Sequence, residues 1–215
     1  MNKGNHKAVA RLEKFIRRAS YSYQKPTFAL KCDIKKFFAS IDQEILLSLI
    51  QKVIRNKDTI WLIKNIISSF SVKDNKGLPL GNVTSQLFSN IYLNDLDYFI
   101  KHNLRQKFYI RYCDDFIILN QDKKYLENLI LIIDNFLQTK LKLNLHPNKI
   151  IIRKISQGID FLGYVTLPYY RVLRTKTKKR IRRLVTSKNL PSYLGVLKHA
   201  YSYKIKQNLL KKLGL

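Results

Sequence analysis

Residues 108–119, FYIRYCDDFIIL, place two adjacent aspartates in the middle of a strongly apolar run. The flanking residues, 108–113 and 116–119, predict two short strands, and Asp114 and Asp115 fall where a tight hairpin would turn. Two neighbouring carboxylates repel each other and lose hydration energy unless positive charge lies beside them. A lysine or a metal ion could supply that charge. Alternatively, the pair could simply be solvated at a turn, where aspartate is common.

Short apolar strands and amphipathic helices alternate on both sides of this hairpin. Residues 28–34, FALKCDI, predict a buried strand that carries Asp33 at its end. Helices are predicted, in part from the capping-box pattern SIDQ at 40–43, over 4–19, 40–54, 59–70, 86–102 and 122–139. Three further short strands and a basic helical pair follow. The order predicts an α+β fold, a split βαβ or ferredoxin-like sheet with helices on one face, which would bring Asp33 beside the Asp114–Asp115 turn.

The charge balance favours a polyanionic partner. The 215 residues include 41 Lys and Arg against 14 Asp and Glu, a formal net charge of +27. Such a charge suits nucleic acid above all, although an AT-rich genome would also enrich lysine. Acids are so few that Asp33, Asp114 and Asp115 are informative, because all three lie in apolar surroundings.

The two cysteines, Cys32 and Cys113, directly precede two of these aspartates. Their spacing suits neither a structural zinc site nor a disulfide framework, and we interpret them as small core residues that point away from the carboxylates. The sequence has no signal peptide and no apolar run approaching ~18 residues, so no membrane span is expected. We therefore expect an intracellular, cytoplasmic protein without a membrane partner.

Three carboxylates that meet at one site suit in-line nucleotidyl transfer with two Mg²⁺ ions. One ion activates an attacking 3′-hydroxyl, and the other holds the triphosphate and offsets charge on the leaving pyrophosphate. A lone aspartate pair would more often be only a turn, but here a third carboxylate accompanies it.

Five blocks of the sequence resemble, in order and spacing, the signature blocks of a reverse transcriptase palm. They are ALKCDIKKFFASID, GLPLGNVTSQLFSNIYLNDLD, RYCDDFIIL, LKLNLHPNKIII and GIDFLGYV, and the basic tail resembles a thumb. The resemblance implies a fingers remnant with an N-terminal helix at 1–24, a palm with the catalytic site at 25–167 and a helical thumb at 168–215. It also implies RNA-directed DNA polymerase activity on a primer 3′-hydroxyl, with template RNA, primer and cDNA as partners.

Carried over residue by residue, the resemblance assigns catalytic roles. It makes Asp33, Asp114 and Asp115 the ligands of two Mg²⁺ ions, or of Mn²⁺, with the main-chain carbonyl of Ile34 assisting. Lys149 matches the lysine that acts as a general acid on the leaving pyrophosphate, although an ordinary solvated lysine is an alternative in so basic a chain.

The resemblance also assigns contacts to the nucleotide and to the nucleic acid. Phe38 matches the steric gate that excludes ribonucleotides, with core packing beside Phe37 as the alternative. The block that lines the nucleotide pocket holds Leu80, Gly81, Ser85 and Gln86. The implied primer and template contacts are Tyr112, Phe161, Leu162, Gly163, Arg174, Lys178, Lys179 and Arg182. Nearby Tyr193, Tyr201 and Tyr203 could stack on bases, but packing within the thumb is the prediction.

Two features narrow the resemblance. Most reverse transcriptases have Gln where this chain has Leu80 and Pro where it has Gln86. LGNVTSQ and SYLGVLKHAYSYK are instead similar to the reverse transcriptases of diversity-generating retroelements, which are prokaryotic or phage-encoded, make errors at template adenines and work with a helical accessory protein. The alternatives are a group II intron-like or defence-associated reverse transcriptase, or a catalytically weak, truncated copy that binds RNA within an assembly.

The segment before the first aspartate is short for this family. Only 32 residues precede Asp33, and they resemble the end of the fingers region, so we expect a short form that lacks most of the fingers. Basic residues of the N-terminal helix, or a partner, would then have to clamp the triphosphate; the candidates in this chain are His6, Lys7, Arg11, Arg17 and Arg18.

Overall fold

The computed structural model describes residues 4–70, 75–79 and 81–214. The helices are α1 (Asn5–Ala19), α2 (Phe37–Ser40), α3 (Gln43–Gln51), α4 (Lys57–Ser68), α5 (Val83–Tyr92), α6 (Asn94–Tyr98), α7 (Lys123–Leu141), α8 (Thr175–Leu184), α9 (Leu190–Leu197) and α10 (Tyr203–Lys212). The strands are β1 (Phe28–Asp33), β2 (Tyr109–Tyr112), β3 (Asp115–Asn120), β4 (Ile151–Lys154), β5 (Ile159–Phe161), β6 (Tyr164–Thr166) and β7 (Arg171–Leu173). There is also a π-helical turn at Phe99–Asn103, and there are 3₁₀ turns at Pro147–Lys149 and Ile155–Gln157.

The first four strands form one sheet in the order β2-β3-β1-β4. Along the chain, β1 comes first and is followed by helices, then by the antiparallel hairpin β2–β3, and then by α7 and β4. This is the split βαβ arrangement, in which β3 of the hairpin becomes the neighbour of β1. The predicted mixed fold is therefore confirmed.

Strand β3 forms the centre of the core because its apolar residues are continuous rather than alternating. Phe116, Ile117, Ile118 and Leu119 are all buried, as expected for a strand that is covered on both faces. Helix α7 presents an apolar stripe at helical spacing, and its buried residues are Leu126, Leu129, Ile133, Leu137 and Leu141. Each such side chain stabilises the fold by about 1.5–3 kcal/mol.

Two predicted helices differ in detail from the structure. The helix expected over 86–102 begins earlier, at Val83, and is interrupted at Leu93 before it ends in the π-helical turn. The capping residue of α3 is Asp42 rather than Ser40, because the Asp42 carboxylate accepts hydrogen bonds of 3.1 Å from the backbone N–H groups of Glu44 and Ile45.

The C-terminal segment contains three helices instead of the predicted pair. After the antiparallel sheet β5-β6-β7, α8 ends before an extended residue, Val185, and α9 begins with Pro191 in its first turn. Proline is favoured at such a start, since the N–H that it lacks would be unsatisfied there in any case. Residues 198–202 then separate α9 from α10.

The chain divides into two compact units. The terminal unit contains Met1–Ala29, Leu119–Gln121 and Arg153–Leu215, and the central unit contains Leu30–Ile118 and Asp122–Ile152. The boundaries of fingers remnant, palm and thumb stay predictions. Within the described residues, the helices are all too short or too polar to cross a membrane.

Candidate active site

The aspartate pair lies at a two-residue hairpin turn, as predicted, but the two side chains occupy different positions in it. Tyr112 pairs with Asp115, so Cys113 and Asp114 form the turn and Asp115 opens β3. Cys113 adopts a left-handed conformation with φ of 53° and is half-buried. Its interpretation as a core strand residue is therefore wrong, whereas Cys32 in β1 is fully buried.

Asp33 is paired with Lys149 across 116 residues of sequence. The Lys149 Nζ atom lies 3.0 and 2.9 Å from the Asp33 Oδ1 and Oδ2 atoms. The backbone explains the meeting, because Ile34 pairs with Leu145 in an antiparallel bridge and the His146 N–H donates to the Asp33 carbonyl at 2.8 Å. Two of the predicted catalytic residues are thus in direct contact.

Asp115 is held by a lysine that the sequence analysis missed. The Lys31 Nζ atom lies 3.0 Å from the Asp115 Oδ2 atom. Lys31 and Asp33 are two residues apart in β1, a spacing that puts both side chains on one face of the sheet and could have identified Lys31. The other oxygen, Asp115 Oδ1, is buried without a hydrogen-bond partner among the described residues.

The three carboxylates influence one another electrostatically. Burial raises the pKa of Asp115 to about 6; Lys31 opposes this rise, and the charges of Asp33 and Asp114 add to it. Burial likewise raises the pKa of Asp114, and the charge of Asp33 adds to this rise, which a hydrogen bond to the residue's own backbone N–H and the charge of Lys149 partly offset. The structure therefore brings all three predicted carboxylates to one site of concentrated negative charge.

This donor set suits a hard divalent cation, because three carboxylates and a buried oxygen without a partner meet at one place. As the side chains stand, Lys31 pairs with Asp115 and Lys149 pairs with Asp33, and the described ranges contain no group of three or more acidic, His or Cys side chains close enough to hold one ion. For all three carboxylates to hold one ion, their side chains would have to draw closer together, and Lys149 now occupies both oxygens of Asp33. Ile34 is buried beside the site, and the role of its carbonyl stays a prediction.

A second charged pair supports the hairpin turn. The Arg111 Nε and Nη2 atoms donate to the two Asp97 carboxylate oxygens at 2.8 and 2.6 Å, and Nη1 donates to the Cys113 carbonyl at 2.8 Å. The Tyr109 hydroxyl donates to the same carboxylate at 2.6 Å. Burial acts to lower the pKa of Arg111, but the Asp97 carboxylate outweighs it and raises that pKa. The sequence patterns gave no indication of a role for Arg111 or Asp97.

The structure distinguishes the two candidate gate residues. Phe37 is buried in the core, whereas Phe38 is half-buried with its ring centroid 5.3 Å from that of Phe37. The Phe38 carbonyl accepts a hydrogen bond of 2.8 Å from the Leu78 N–H. Of the two phenylalanines, Phe38 therefore has the more accessible side chain. Its backbone is hydrogen-bonded to the loop that belongs to the predicted nucleotide-binding block, residues 76–86.

The other residues of that block differ in exposure. Gly81 is exposed with φ of 93°, Ser85 is buried in the first turn of α5, and Gln86 is exposed. The Ser85 Oγ atom is buried without a hydrogen-bond partner in the part of the chain that the structure describes. Leu80 lies outside the described residues. Tyr112, the predicted primer contact of the central unit, is half-buried at the end of β2.

The remaining predicted contacts lie in the terminal unit. Phe161 is fully buried in β5, and Leu162 and Gly163, with φ of 50° and 87°, form the turn to β6. Arg174 precedes α8 and forms an ion pair with Asp160. The α8 residues Lys178, Lys179 and Arg182 are exposed or half-exposed.

Two curated proteins with similar sequences are named as intron proteins of yeasts. The chain is 21% identical over 197 residues to a putative COX1/OXI3 intron 2 protein of Saccharomyces cerevisiae, a match that covers 63% of this chain and 23% of that protein. It is 33% identical over 88 residues to an uncharacterized 91 kDa protein in a cob intron of Schizosaccharomyces pombe, covering 38% of this chain and 11% of that protein. The chain therefore spans less than a quarter of the length of these relatives.

Solved structures with similar folds include telomerases. The telomerase of Candida albicans, in complex with a TWJ fragment of telomeric RNA, matches 97% of this chain and 42% of that chain with a TM-score of 0.67 and 12% identity. Apo telomerase of Candida tropicalis, truncated from its C-terminal domain, matches 81% of this chain and 40% of that chain with a TM-score of 0.61 and 17% identity. At such identities the likeness concerns the fold alone. A family model described as reverse transcriptase (RNA-dependent DNA polymerase) matches residues 5–166, and the chain belongs to that family.

Proposed function

We propose that this chain catalyses RNA-directed DNA synthesis, adding deoxynucleotides to a primer 3′-hydroxyl on an RNA template. The observation that carries the proposal is the meeting of Asp33, Asp114 and Asp115 at one site, where burial and mutual repulsion raise the pKa values of the last two. Groups whose pKa values are strongly perturbed by such neighbours mark candidate catalytic sites.

Each residue of the site has a chemical task in this proposal. Asp33, Asp114 and Asp115 hold the divalent cations, which when bound activate the 3′-hydroxyl and offset charge on the triphosphate. Lys149 moves from Asp33 toward the leaving pyrophosphate and donates a proton to it. Lys31 stays on Asp115 and limits the repulsion among the carboxylates. The half-buried Phe38 ring excludes a 2′-hydroxyl.

The test is primer extension on an RNA template with Mg²⁺, comparing the wild type with Asp114→Ala/Asp115→Ala. We expect extension by the wild type and none by the variant, with RNA binding retained by both. If neither protein extends the primer yet both bind RNA tightly, the chain acts as an RNA-binding component. Extension that survives in the variant would contradict the assigned site.

We further propose that the enzyme is of the diversity-generating type. The support is the sequence LGNVTSQ, which puts Leu80 and Gln86 where most reverse transcriptases have Gln and Pro. An aliphatic side chain cannot hydrogen-bond a base, so selection at Leu80 would rest more on shape, and loss of a hydrogen bond forfeits much selectivity. A helical accessory protein and a structured template RNA are the partners that this type implies.

Sequencing of cDNA made by the wild type and by Leu80→Gln tests the finer proposal. We expect errors at template adenines in the wild type and fewer in the variant. A Leu80→Met variant is the matched control, because it keeps an apolar side chain of similar size. An unchanged error spectrum in Leu80→Gln would contradict the role of Leu80.

An intron-type reverse transcriptase is the second candidate. The observation that favours it is the similarity to the Saccharomyces cerevisiae and Schizosaccharomyces pombe intron proteins. The same sequencing separates the two candidates, because low error rates without an excess at adenine in the wild type would favour the intron type.

A further inference from the structure

The terminal unit exposes a set of tyrosines that its packing does not use. Tyr201 and Tyr203 are 77% and 70% exposed, and Tyr170 is 51% exposed. The ring centroids of Tyr170 and Tyr201 are 6.1 Å apart. The prediction that Tyr201 and Tyr203 pack within the thumb is therefore wrong. We call Tyr170, Tyr201 and Tyr203 the tyrosine patch.

A cavity of about 540 Å³ lies beside the tyrosine patch, between α9 and α10. Leu194, Leu197 and Ala200 give it an apolar lining, and Lys198 and Lys206 lie among the lining residues with Tyr201 and Tyr203. Its size falls within the range of small-ligand pockets, roughly 300–1,000 Å³. It is large enough to accept a planar ring.

The segment that carries the patch is held in place by hydrogen bonds. The Tyr201 N–H donates to the Arg171 carbonyl at 2.7 Å, which fixes the patch to β7. The Ser202 hydroxyl donates to the Leu197 carbonyl at 2.8 Å, which ties the start of α10 to the end of α9. The exposed rings are thus presented by a fixed backbone.

The charge around the patch is almost entirely positive. The terminal unit holds 23 of the 41 Lys and Arg residues but only two acids, Glu13 and Asp160. Both acids form ion pairs with arginines, Arg171 and Arg174. No Asp or Glu occurs after Asp160 in the sequence. The phosphates of a nucleic acid would meet no repulsion from the C-terminal helices.

We propose that the tyrosine patch and its cavity bind unpaired nucleotides of a single-stranded nucleic acid. The bases stack on Tyr201 and Tyr203, and Lys198 and Lys206 face the phosphates. Unpaired bases are required, because only splayed bases offer their faces to aromatic rings, and this stacking tolerates any base sequence. The site deepens the proposed function by naming a single-stranded contact, but it does not require catalysis.

Equilibrium binding of a fluorescent single-stranded RNA of about 12 nucleotides, within the usual site size, tests the proposal. Each base–aromatic stack contributes about 1–3 kcal/mol, so Tyr201→Ala/Tyr203→Ala should weaken binding by at least about tenfold. Tyr201→Phe/Tyr203→Phe should bind as the wild type does, because the phenyl rings still stack. The matched control is Tyr21→Ala, which removes another tyrosine of the terminal unit that is 60% exposed.

A blocking variant tests the cavity without removing a tyrosine. Gly195 lines the cavity, and a Cβ atom placed on it would meet no atom within 4 Å. Gly195→Leu should therefore fold normally and weaken single-strand binding. Binding of a fully paired RNA–DNA duplex should change little in all these variants, since stacked bases cannot use the patch.

Two outcomes would overturn the site. One is unchanged single-strand binding in both the double alanine variant and Gly195→Leu; the other is an equal loss for the duplex. Primer extension on a short RNA–DNA hybrid with one unpaired template nucleotide distinguishes failure of the single-strand site from failure of the proposed polymerase function. That extension should stay at the wild-type level in the patch variants, while Asp114→Ala should abolish it and keep single-strand binding.

Discussion

The Arg111 guanidinium donates a hydrogen bond to the Cys113 carbonyl, so a buried arginine holds the main chain directly before Asp114 and Asp115. Its Nε and Nη2 atoms donate to the Asp97 carboxylate, which fixes the plane of the guanidinium in a bidentate pair. A left-handed residue at a turn needs such support, since its conformation is disfavoured for a side chain larger than glycine. Arg111 is thus a positioning residue for the carboxylates.

We predict that Arg111→Lys lowers kcat for primer extension about 10–100-fold and leaves the KM for the deoxynucleotide nearly unchanged. Lysine keeps the charge but cannot bridge Asp97 and the carbonyl with three fixed donors, and a misplacement of about 1 Å can reduce a rate about 100-fold. Steady-state kinetics measures the effect, with the exposed Arg105→Lys as control. A change in KM alone would contradict a positioning role.

Lys149→Met should have opposite effects on metal binding and on turnover. Removal of the amine frees both Asp33 oxygens, so Mn²⁺ should bind a few-fold more tightly, a modest effect because the lysine side chain is 53% exposed. The rate should nevertheless fall, roughly 100-fold or more, because the proposed general acid is lost. Calorimetric titration of Mn²⁺ and single-turnover extension measure the two effects.

Lys142→Met is the matched control for that variant. Lys142 forms a 2.7 Å ion pair with Asp42 and is 54% exposed, so it reproduces the loss of a similar surface pair away from the three carboxylates. It should change neither Mn²⁺ affinity nor the rate of extension. Weaker Mn²⁺ binding in Lys149→Met would show that the lysine assists the metal rather than competing with it.

Asp115 should make the metal-free protein less stable as pH rises from about 4 to 6. Its pKa in the folded protein is about 6, whereas in the unfolded chain it is about 3.9, so the native state holds the proton over that interval and the unfolded state does not. Stability from this group is present below about pH 4 and is lost by about pH 6, a loss of roughly 2–3 kcal/mol.

Asp115→Asn should remove this decline in stability. Above pH 6 in EDTA the variant should unfold at higher urea concentration than the wild type, by about 1–2 kcal/mol once the lost Lys31 pair is considered. The exposed Asp58→Asn is the control. Added Mg²⁺ should stabilise the wild type more than Asp115→Asn, because the proposed metal site would lose one of its three carboxylates in the variant. Equal pH dependence in the two proteins would contradict the burial of charge at Asp115.

Phe38→Ala should raise the incorporation of ribonucleotides relative to deoxynucleotides by about tenfold or more, because a ring that rejects one hydroxyl by shape discriminates by about that factor. Phe37→Ala is the contrasting variant. It should lower the free energy of unfolding by about 3–5 kcal/mol without changing sugar selectivity in the fraction that stays folded. Competitive extension with mixed nucleotides and urea unfolding measure the two effects.

The sequence predicted the hairpin and the alternation of strands and helices, because a continuous apolar strand and an amphipathic helix leave clear patterns in β3 and α7. It did not predict the hydrogen bonds of Arg111, since the sequence of a strand does not indicate which carboxylate or carbonyl a basic side chain will contact. The interruption at Leu93 was also missed, because apolar spacing continues through it. Tyr201 was predicted to be packed but is exposed, because composition cannot distinguish a buried aromatic ring from an exposed one.

The hydrogen bond between Leu78 and Phe38 has a consequence for how selectivity can change in this protein. The Gly77 N–H donates to the Ile41 carbonyl in the same way, so the loop that leads to the LGNVTSQ segment is hydrogen-bonded to the turn of helix that carries Phe38 and to the residue that follows it. Under the proposed roles of Phe38 and Leu80, discrimination of the sugar and discrimination of the base would therefore depend on one hydrogen-bonded piece of backbone. An insertion or deletion in the loop would displace both at once, whereas single side-chain replacements can adjust each alone, so evolution of copying accuracy here should proceed by substitution.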